Sequence, residues 1–238
     1  MEIFLQPDTW VALLTLTFLE IVLGIDNIIF ISIVASKVPK ESQKKARLGG
    51  LALAMIMRVL LLLSITWIIG LTEPVVTVWD FEISWRDLIL FAGGIFLLVK
   101  STLEIHHKVE GQHDEEKYGN KPKVMSFSTA IIQIVLLDLV FSFDSILTAV
   151  GLTDQVILMI IAVVVAILVM MAFAKPVGEF VNRNPTIQIL ALSFLILIGV
   201  MLIVEAAHYH VPKGYIYFAV FFSLAIEMLN MRYRKKNA

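Results

Sequence analysis

The chain has 238 residues, 59% of them hydrophobic, and a mean hydropathy of +0.88. A soluble protein of this length has no interior large enough to hide that much apolar surface, so the composition specifies a polytopic membrane protein. The net charge of −1 excludes a nucleic-acid binder, and the absence of cysteine excludes disulfides, thiolate metal sites and cysteine redox chemistry.

A crossing helix needs about 20 mostly apolar residues. Seven segments qualify in chain order: 9–35, 46–71, 86–99, 127–150, 156–174, 187–204 and 215–231. The first follows a start without Lys or Arg and is too long for a signal-peptide core, so it reads as a retained span. The third is the shortest and contains Gly93-Gly94.

Orientation follows from basic residues. Lys37, Lys40, Lys44, Lys45 and Arg47 follow the first span. Lys100, Lys108, Lys117, Lys121 and Lys123 follow the third, and Lys175 and Arg183 the fifth. Arg232, Arg234, Lys235 and Lys236 end the chain, which places 16 of the 19 Lys and Arg on one side. The other side has Arg86 and Lys213, and Arg58 lies within a span. The expected topology is N-terminus outside and C-terminus cytoplasmic, with Trp10, Trp79 and Trp85 in an outer aromatic belt.

Residues 101–126, rich in Lys, Glu, Gly and His, read as a flexible cytoplasmic loop between halves. The expected divisions are a three-span repeat over 1–105, a charged loop over 106–126, a second repeat over 127–210, and a seventh span with a basic tail over 211–238. The repeat rests on two matches. Glu20 and Asp26 recur as Asp138 and Asp144, and Gly94-Ile-Phe-Leu-Leu-Val-Lys100 resembles Gly199-Val-Met-Leu-Ile-Val-Glu205. Three spans is an odd number, so the halves insert with opposite orientation. Inverted repeats of this kind are the architecture of secondary transporters. The expected fold is all-α: seven transmembrane helices, two inverted three-helix repeats plus a seventh helix.

Within spans 1 and 4, a carboxylate is followed six residues on by Asp and then at once by a neutral oxygen donor. The two sets are Glu20, Asp26, Asn27 and Asp138, Asp144, Ser145. An acid at bilayer depth costs about 2.5–3.5 kcal/mol even on the lenient insertion scale. Two copies with matched spacing point to function. Residues seven apart share a helix face, whereas residues six apart differ by roughly 120°. Either each helix places acids on two sides of a packed bundle, or it bends or unwinds near Gly24-Ile25 and Ser142-Phe143. The second is favoured because it would also free backbone carbonyls as ligands.

The donors are all oxygen, which suits Mn2+, Ca2+ or Mg2+ rather than Cu(I) or zinc. Against four carboxylates there is one cation, Arg58, read as an internal counter-ion. Metal and protons would compete for the remaining charge, which permits exchange of one for the other. Glu205 and Glu227 near span ends are candidate path residues, though a hydrated acid is ordinary there. His106, His107 and His113, with Glu104, Glu110, Asp114, Glu115 and Glu116, read as a solvated face rather than a metal collector. His208 and His210 carry the same reading, and the ten methionines read as packing.

At Glu20-xxx-Gly24-x-Asp26-Asn27 and Asp138-xxxxx-Asp144-Ser145 the chain resembles the TerC family of integral membrane proteins. Gly93-Gly94-Ile-Phe-Leu-Leu-Val-Lys100 and Pro212-Lys213-Gly214-Tyr215-x-Tyr217-Phe218…Phe222-Ser223…Asn230 support the match, which covers almost the whole chain. The second motif departs by carrying Ser142 where the first has Gly24. The resemblance implies a seven-span inner-membrane protein of the lysine-exporter-like transporter superfamily. Family members are associated with manganese efflux and, by name, with tellurium resistance. It carries the metal path onto Glu20, Asp26, Asn27, Asp138, Asp144 and Ser145.

The expected function is proton-coupled export of a divalent cation, with the metal as substrate and no organic cofactor. The expected partners are metal, protons and lipid, with homo-oligomerisation left open. The alternative is a non-transporting scaffold or sensor of a metal or tellurite stress-resistance system. A retinal-type receptor would want a Lys deep in span 7, which has none. An intramembrane metalloprotease would want a His-Glu-x-x-His run, which is also missing, so the chain is not expected to be an enzyme.

Overall fold

The computed structural model describes residues 7–78, 81–110, 125–150, 153, 155–209 and 211–237. Among the described residues eight helices follow one another: α1 (Pro7–Ser36), α2 (Lys40–Leu63), α3 (Ile65–Gly70), α4 (Trp85–Val109), α5 (Phe127–Val150), α6 (Val156–Arg183), α7 (Pro185–Ala206) and α8 (Lys213–Asn237). Between α3 and α4 a two-stranded hairpin pairs β1 (Pro74–Val78) with β2 (Phe81–Ser84). Apart from this short hairpin the described residues form helices, consistent with the all-α expectation, and the hairpin's valines, Phe81 and Ile83 are strand-forming chemistry.

Helices dominate because a backbone in lipid must satisfy its own polar groups. Their ends follow local chemistry. Pro7 opens α1, where its missing N–H costs nothing. α4 begins with a capping box: Ser84 Oγ accepts from the Asp87 N–H, and the Asp87 carboxylate accepts from the Ser84 N–H at 2.9 Å. Pro185 opens α7. The expected second span is interrupted at Ser64, where α2 ends and α3 begins.

Among the described residues six helices, α1, α2, α4, α6, α7 and α8, are long and apolar enough to cross a membrane, against seven expected. The remaining one, α5, offers a shorter apolar stretch, Phe127–Phe143. α4 runs on to Val109, so the loop expected from residue 101 begins later. Ser101 and Glu104 are buried, and that burial extends the helix beyond what hydropathy alone marks.

The chain forms two compact units: residues 1–75 with 124–180, and residues 76–123 with 181–238. In the first, α5 packs on α1 and α2 over Leu16, Ile31, Leu62, Ile134 and Leu137. In the second, α4 packs on α7 over Leu90, Leu97, Leu192 and Leu195, and α8 lies along α7 with none of its described residues buried.

Large apolar side chains face outward at helical spacing: Trp10, Leu14 and Phe18 on α1, and Phe91, Ile95 and Val99 on α4. Glu20, Asn27, Arg58, Asp138, Ser142 and Ser145 are buried. Charges inside and hydrocarbon outside is the arrangement of a protein whose solvent is lipid. Trp10 and Trp85 are exposed, as an aromatic belt requires, and Trp79 lies outside the described residues.

Candidate functional site

Three helices of the first unit bring their charged residues to one point. Arg58, on α2, is 2% exposed, so its guanidinium must find partners within the protein. Its Nε donates to Asp138 Oδ2 at 3.1 Å and its Nη2 to Asp138 Oδ1 at 2.8 Å, a two-pronged fork. Its Nη1 donates to Glu20 Oε2 at 2.6 Å. Arginine suits this place because its planar fork engages one carboxylate with two donors and keeps another for a second acid.

The two acids differ in how fully they are held. Asp138 also accepts from Ser142 Oγ at 3.1 Å and, at the long distance of 3.5 Å, from Asn27 Nδ2. Four donors therefore meet its two oxygens. Glu20 has Arg58 as its one hydrogen-bond partner among the described residues. It borders a void of about 10 Å3 lined by Leu16, Leu62, Ile146, Ala149, Met159, Ala162 and Val163. That is about the room one water needs. Asp138 is thus locked, and Glu20 has capacity to spare.

The helices carrying these acids are continuous, so the expected unwinding at Gly24-Ile25 and Ser142-Phe143 does not occur. Gly24 serves packing instead: a Cβ there would lie 2.3 Å from Met170 Sδ on α6. The one hydroxyl proton of Ser142 is shared between the Asp138 carbonyl four residues back, at 2.5 Å, and Asp138 Oδ2 at 3.1 Å. Continuity puts Glu20 and Asn27 on one face, and both reach the Arg58–Asp138 pair. Ser145 Oγ donates to the Ser142 carbonyl at 3.3 Å. The side chains of Asp26 and Asp144 lie outside the described residues. Among the described residues no three His, Asp or Glu side chains gather closely enough to share a metal ion.

The remaining candidates belong to the second unit. Glu205 accepts from Arg86 Nη2 at 2.6 Å. Arg86 also lies 3.6 Å from Asp87, whose other oxygen is 3.1 Å from His208 Nε2. Glu227 accepts from Asn230 Nδ2 at 3.3 Å, a contact within α8. His106 pairs with Glu110 one turn on, and both are exposed. His113, Asp114, Glu115, Glu116 and His210 lie outside the described residues. Sequence reasoning missed Gln188, which accepts from Lys108 Nζ and donates to the Val181 carbonyl at 3.0 Å, capping the end of α6. A lone glutamine near a span end gives no signal of that role.

The chain matches the Integral membrane protein TerC family over residues 5–238. The chain belongs to the TerC family. A relative in Escherichia coli strain K12, the UPF0053 inner membrane protein YgdQ, is 55% identical over 232 residues, covering 98% of this chain and 96% of that protein. A UPF0053 protein of Haemophilus influenzae is 51% identical over 231 residues, covering 97% and 96%. The UPF0053 inner membrane protein YoaE of E. coli K12 is 48% identical over 235 residues, 99% of this chain but 45% of that protein. No solved structure matches the chain at a significant level. The buried cluster of this TerC-family chain is carried by α1, α2 and α5, with Glu20 and Asp138 supplying both carboxylates.

Proposed function

We propose that this TerC-family protein is a secondary transporter that exports a divalent metal cation, with Mn2+ the preferred cargo, in exchange for protons. One observation carries the reading. Inside a lipid-facing bundle, Arg58 neutralises one of the two carboxylates it touches, and Glu20 keeps unused acceptor capacity beside a small void. A net negative charge at that depth calls for a mobile cation, either a proton or a metal. Asp26 and Asn27 follow Glu20 on α1, and Asp144 and Ser145 follow Asp138 on α5, so hard oxygen donors are concentrated on the same two helices. Bound metal would favour ionised carboxylates and bound protons would expel metal, which couples the two fluxes.

The topology completes the proposal. α5, with 24 residues, is about 36 Å long at 1.5 Å per residue and serves as the seventh crossing. Spans 1 to 3 and 4 to 6 are inverted repeats in an inner membrane, N-terminus outside and C-terminus in the cytoplasm. The reciprocal contact of Gly94 with Gly199, equivalent positions in the two halves, supports that symmetry.

The test is flux. Purified protein in liposomes should pass Mn2+ in response to a pH gradient, and Asp26→Asn and Asp144→Asn should each nearly abolish the flux while preserving helicity and yield. Liposomes that pass no divalent cation under any gradient would overturn the proposal, as would full activity in the double variant. The fully saturated Asp138 favours a second reading, a non-transporting scaffold or sensor. Under it these variants lose stability and there is no flux to lose.

A further inference from the structure

α2 and α6 pass from polar to apolar at the same level. On α2 the first two turns hold Lys40, Lys44, Lys45 and Arg47 before the apolar run begins at Leu48. On α6 the apolar run ends at Ala174, and Lys175 follows. Where the two boundaries meet lies a cavity of about 210 Å3 lined by Lys44, Arg47, Leu48, Met171, Ala174 and Lys175. Its walls are apolar and its rim carries three cations.

The central cation is built in rather than draped over the surface. Arg47 is half-buried and its Nη1 donates to the Ala174 carbonyl at 3.5 Å. It fits because position 178 is glycine: a Cβ there would lie 2.4 Å from that same Nη1. Among the described residues no carboxylate pairs with Lys44 or Arg47. Lys175 has Glu179 one turn on at 3.9 Å, a loose and exposed pair that leaves most of its charge available. An apolar trough below an unneutralised Arg, flanked by two lysines at the polar boundary of a spanning bundle, matches the shape and charge of a phosphate ester joined to acyl chains. The guanidinium supplies donors in a fork suited to phosphate, and the lysines supply charge.

We propose that this groove between α2 and α6 is a binding site for an anionic phospholipid, with the headgroup phosphate on Arg47, Lys44 and Lys175 and an acyl chain against Leu48 and Met171. The proposal is independent of the transport reading.

Native mass spectrometry of the full-length protein in neutral detergent tests it, titrating with dioctanoyl phosphatidylglycerol, dioctanoyl phosphatidylcholine and inorganic phosphate. Phosphatidylglycerol should bind, phosphatidylcholine should bind far more weakly, and inorganic phosphate should not compete at the same concentrations. Lys44→Gln/Lys175→Gln changes only exposed side chains and should weaken phosphatidylglycerol binding on the order of twentyfold, about fivefold per cation. Arg232→Gln/Lys236→Gln on α8 should change it less than about twofold. Circular dichroism and elution volume confirm that both variants are folded. Equal binding of the two lipids, or wild-type affinity in Lys44→Gln/Lys175→Gln, would overturn the proposal. So would competition by inorganic phosphate at matching concentration, which would mark a site for a free anion.

Discussion

Gly94 and Gly199 lie backbone against backbone where α4 crosses α7. A Cβ on Gly94 would stand 2.6 Å from the Gly199 carbonyl oxygen, and one on Gly199 would stand 2.9 Å from the Gly94 carbonyl oxygen. Small residues permit this approach, and in lipid close packing replaces the hydrophobic drive that joins helices in water. Gly94→Ala and Gly199→Ala should each destabilise the protein by about 1–3 kcal/mol, read as a lower Tm in detergent. Gly70→Ala, where nothing lies within 4 Å, is the control and should not lower Tm. An unchanged Tm in both crossing variants would show that the helices can separate without cost.

Arg58→Leu strands two buried carboxylates, a loss of about 3–5 kcal/mol, so folded yield should fall sharply. Adding Asp138→Asn should recover part of it. In the Arg58 background of the wild type, Asp138→Asn should cost more stability than Glu20→Gln, because it dismantles a fork and a serine contact rather than one hydrogen bond. Thermal melts of the four proteins check the order. A well-folded Arg58→Leu protein that has lost metal binding alone would place Arg58 in the ion path.

Protons and metal compete for ionised carboxylates, so acidifying the loading side should lower apparent Mn2+ affinity in wild-type liposomes. Glu20→Gln removes the acid with unused capacity and should flatten that dependence while leaving the protein folded. Flux measured at several pH values decides the matter, and an unaltered pH profile in Glu20→Gln would remove Glu20 from the exchange.

The chain has no cysteine, so single introduced thiols report topology without background. Gln43→Cys and Gln112→Cys, and a cysteine added at the C-terminus, should resist a membrane-impermeant maleimide in intact cells. Thr77→Cys should react. Labelling at Gln112→Cys from outside would contradict the inverted-repeat topology.

Ser84 and Asp87 cap α4 reciprocally, so Ser84→Ala should cost about 0.5–2 kcal/mol. The same change removes the serine hydroxyl from Asp87 Oδ2, which keeps the backbone N–H of residue 84 and His208 as neighbours. A Tm equal to that of the wild type would mean that the hairpin, not the cap, sets where α4 begins.

Much of the membrane architecture is readable without a fold, because hydropathy and length are properties of a segment alone. Pro7–Ser36, Val156–Arg183 and Pro185–Ala206 stand out for that reason. The 3.6-residue period likewise puts Glu20 and Asn27 on one face before any packing is known. What the sequence could not decide is what each special residue is used for. Gly24 offers either a break or a close approach, and Met170 on a distant helix makes it the latter. Arg58 needs an acid, but four were available. Only the packing of α5 against α1 and α2 shows that it grips Asp138 with a fork and Glu20 with a single bond. Residues 101–109 look like loop in composition, yet burial of Ser101 and Glu104 keeps them helical. The sequence by itself determined which segments are apolar enough to suit lipid and which acids lie within them. Tertiary structure decided which charges meet, because Arg58 pairs with acids 38 and 80 residues away along the chain.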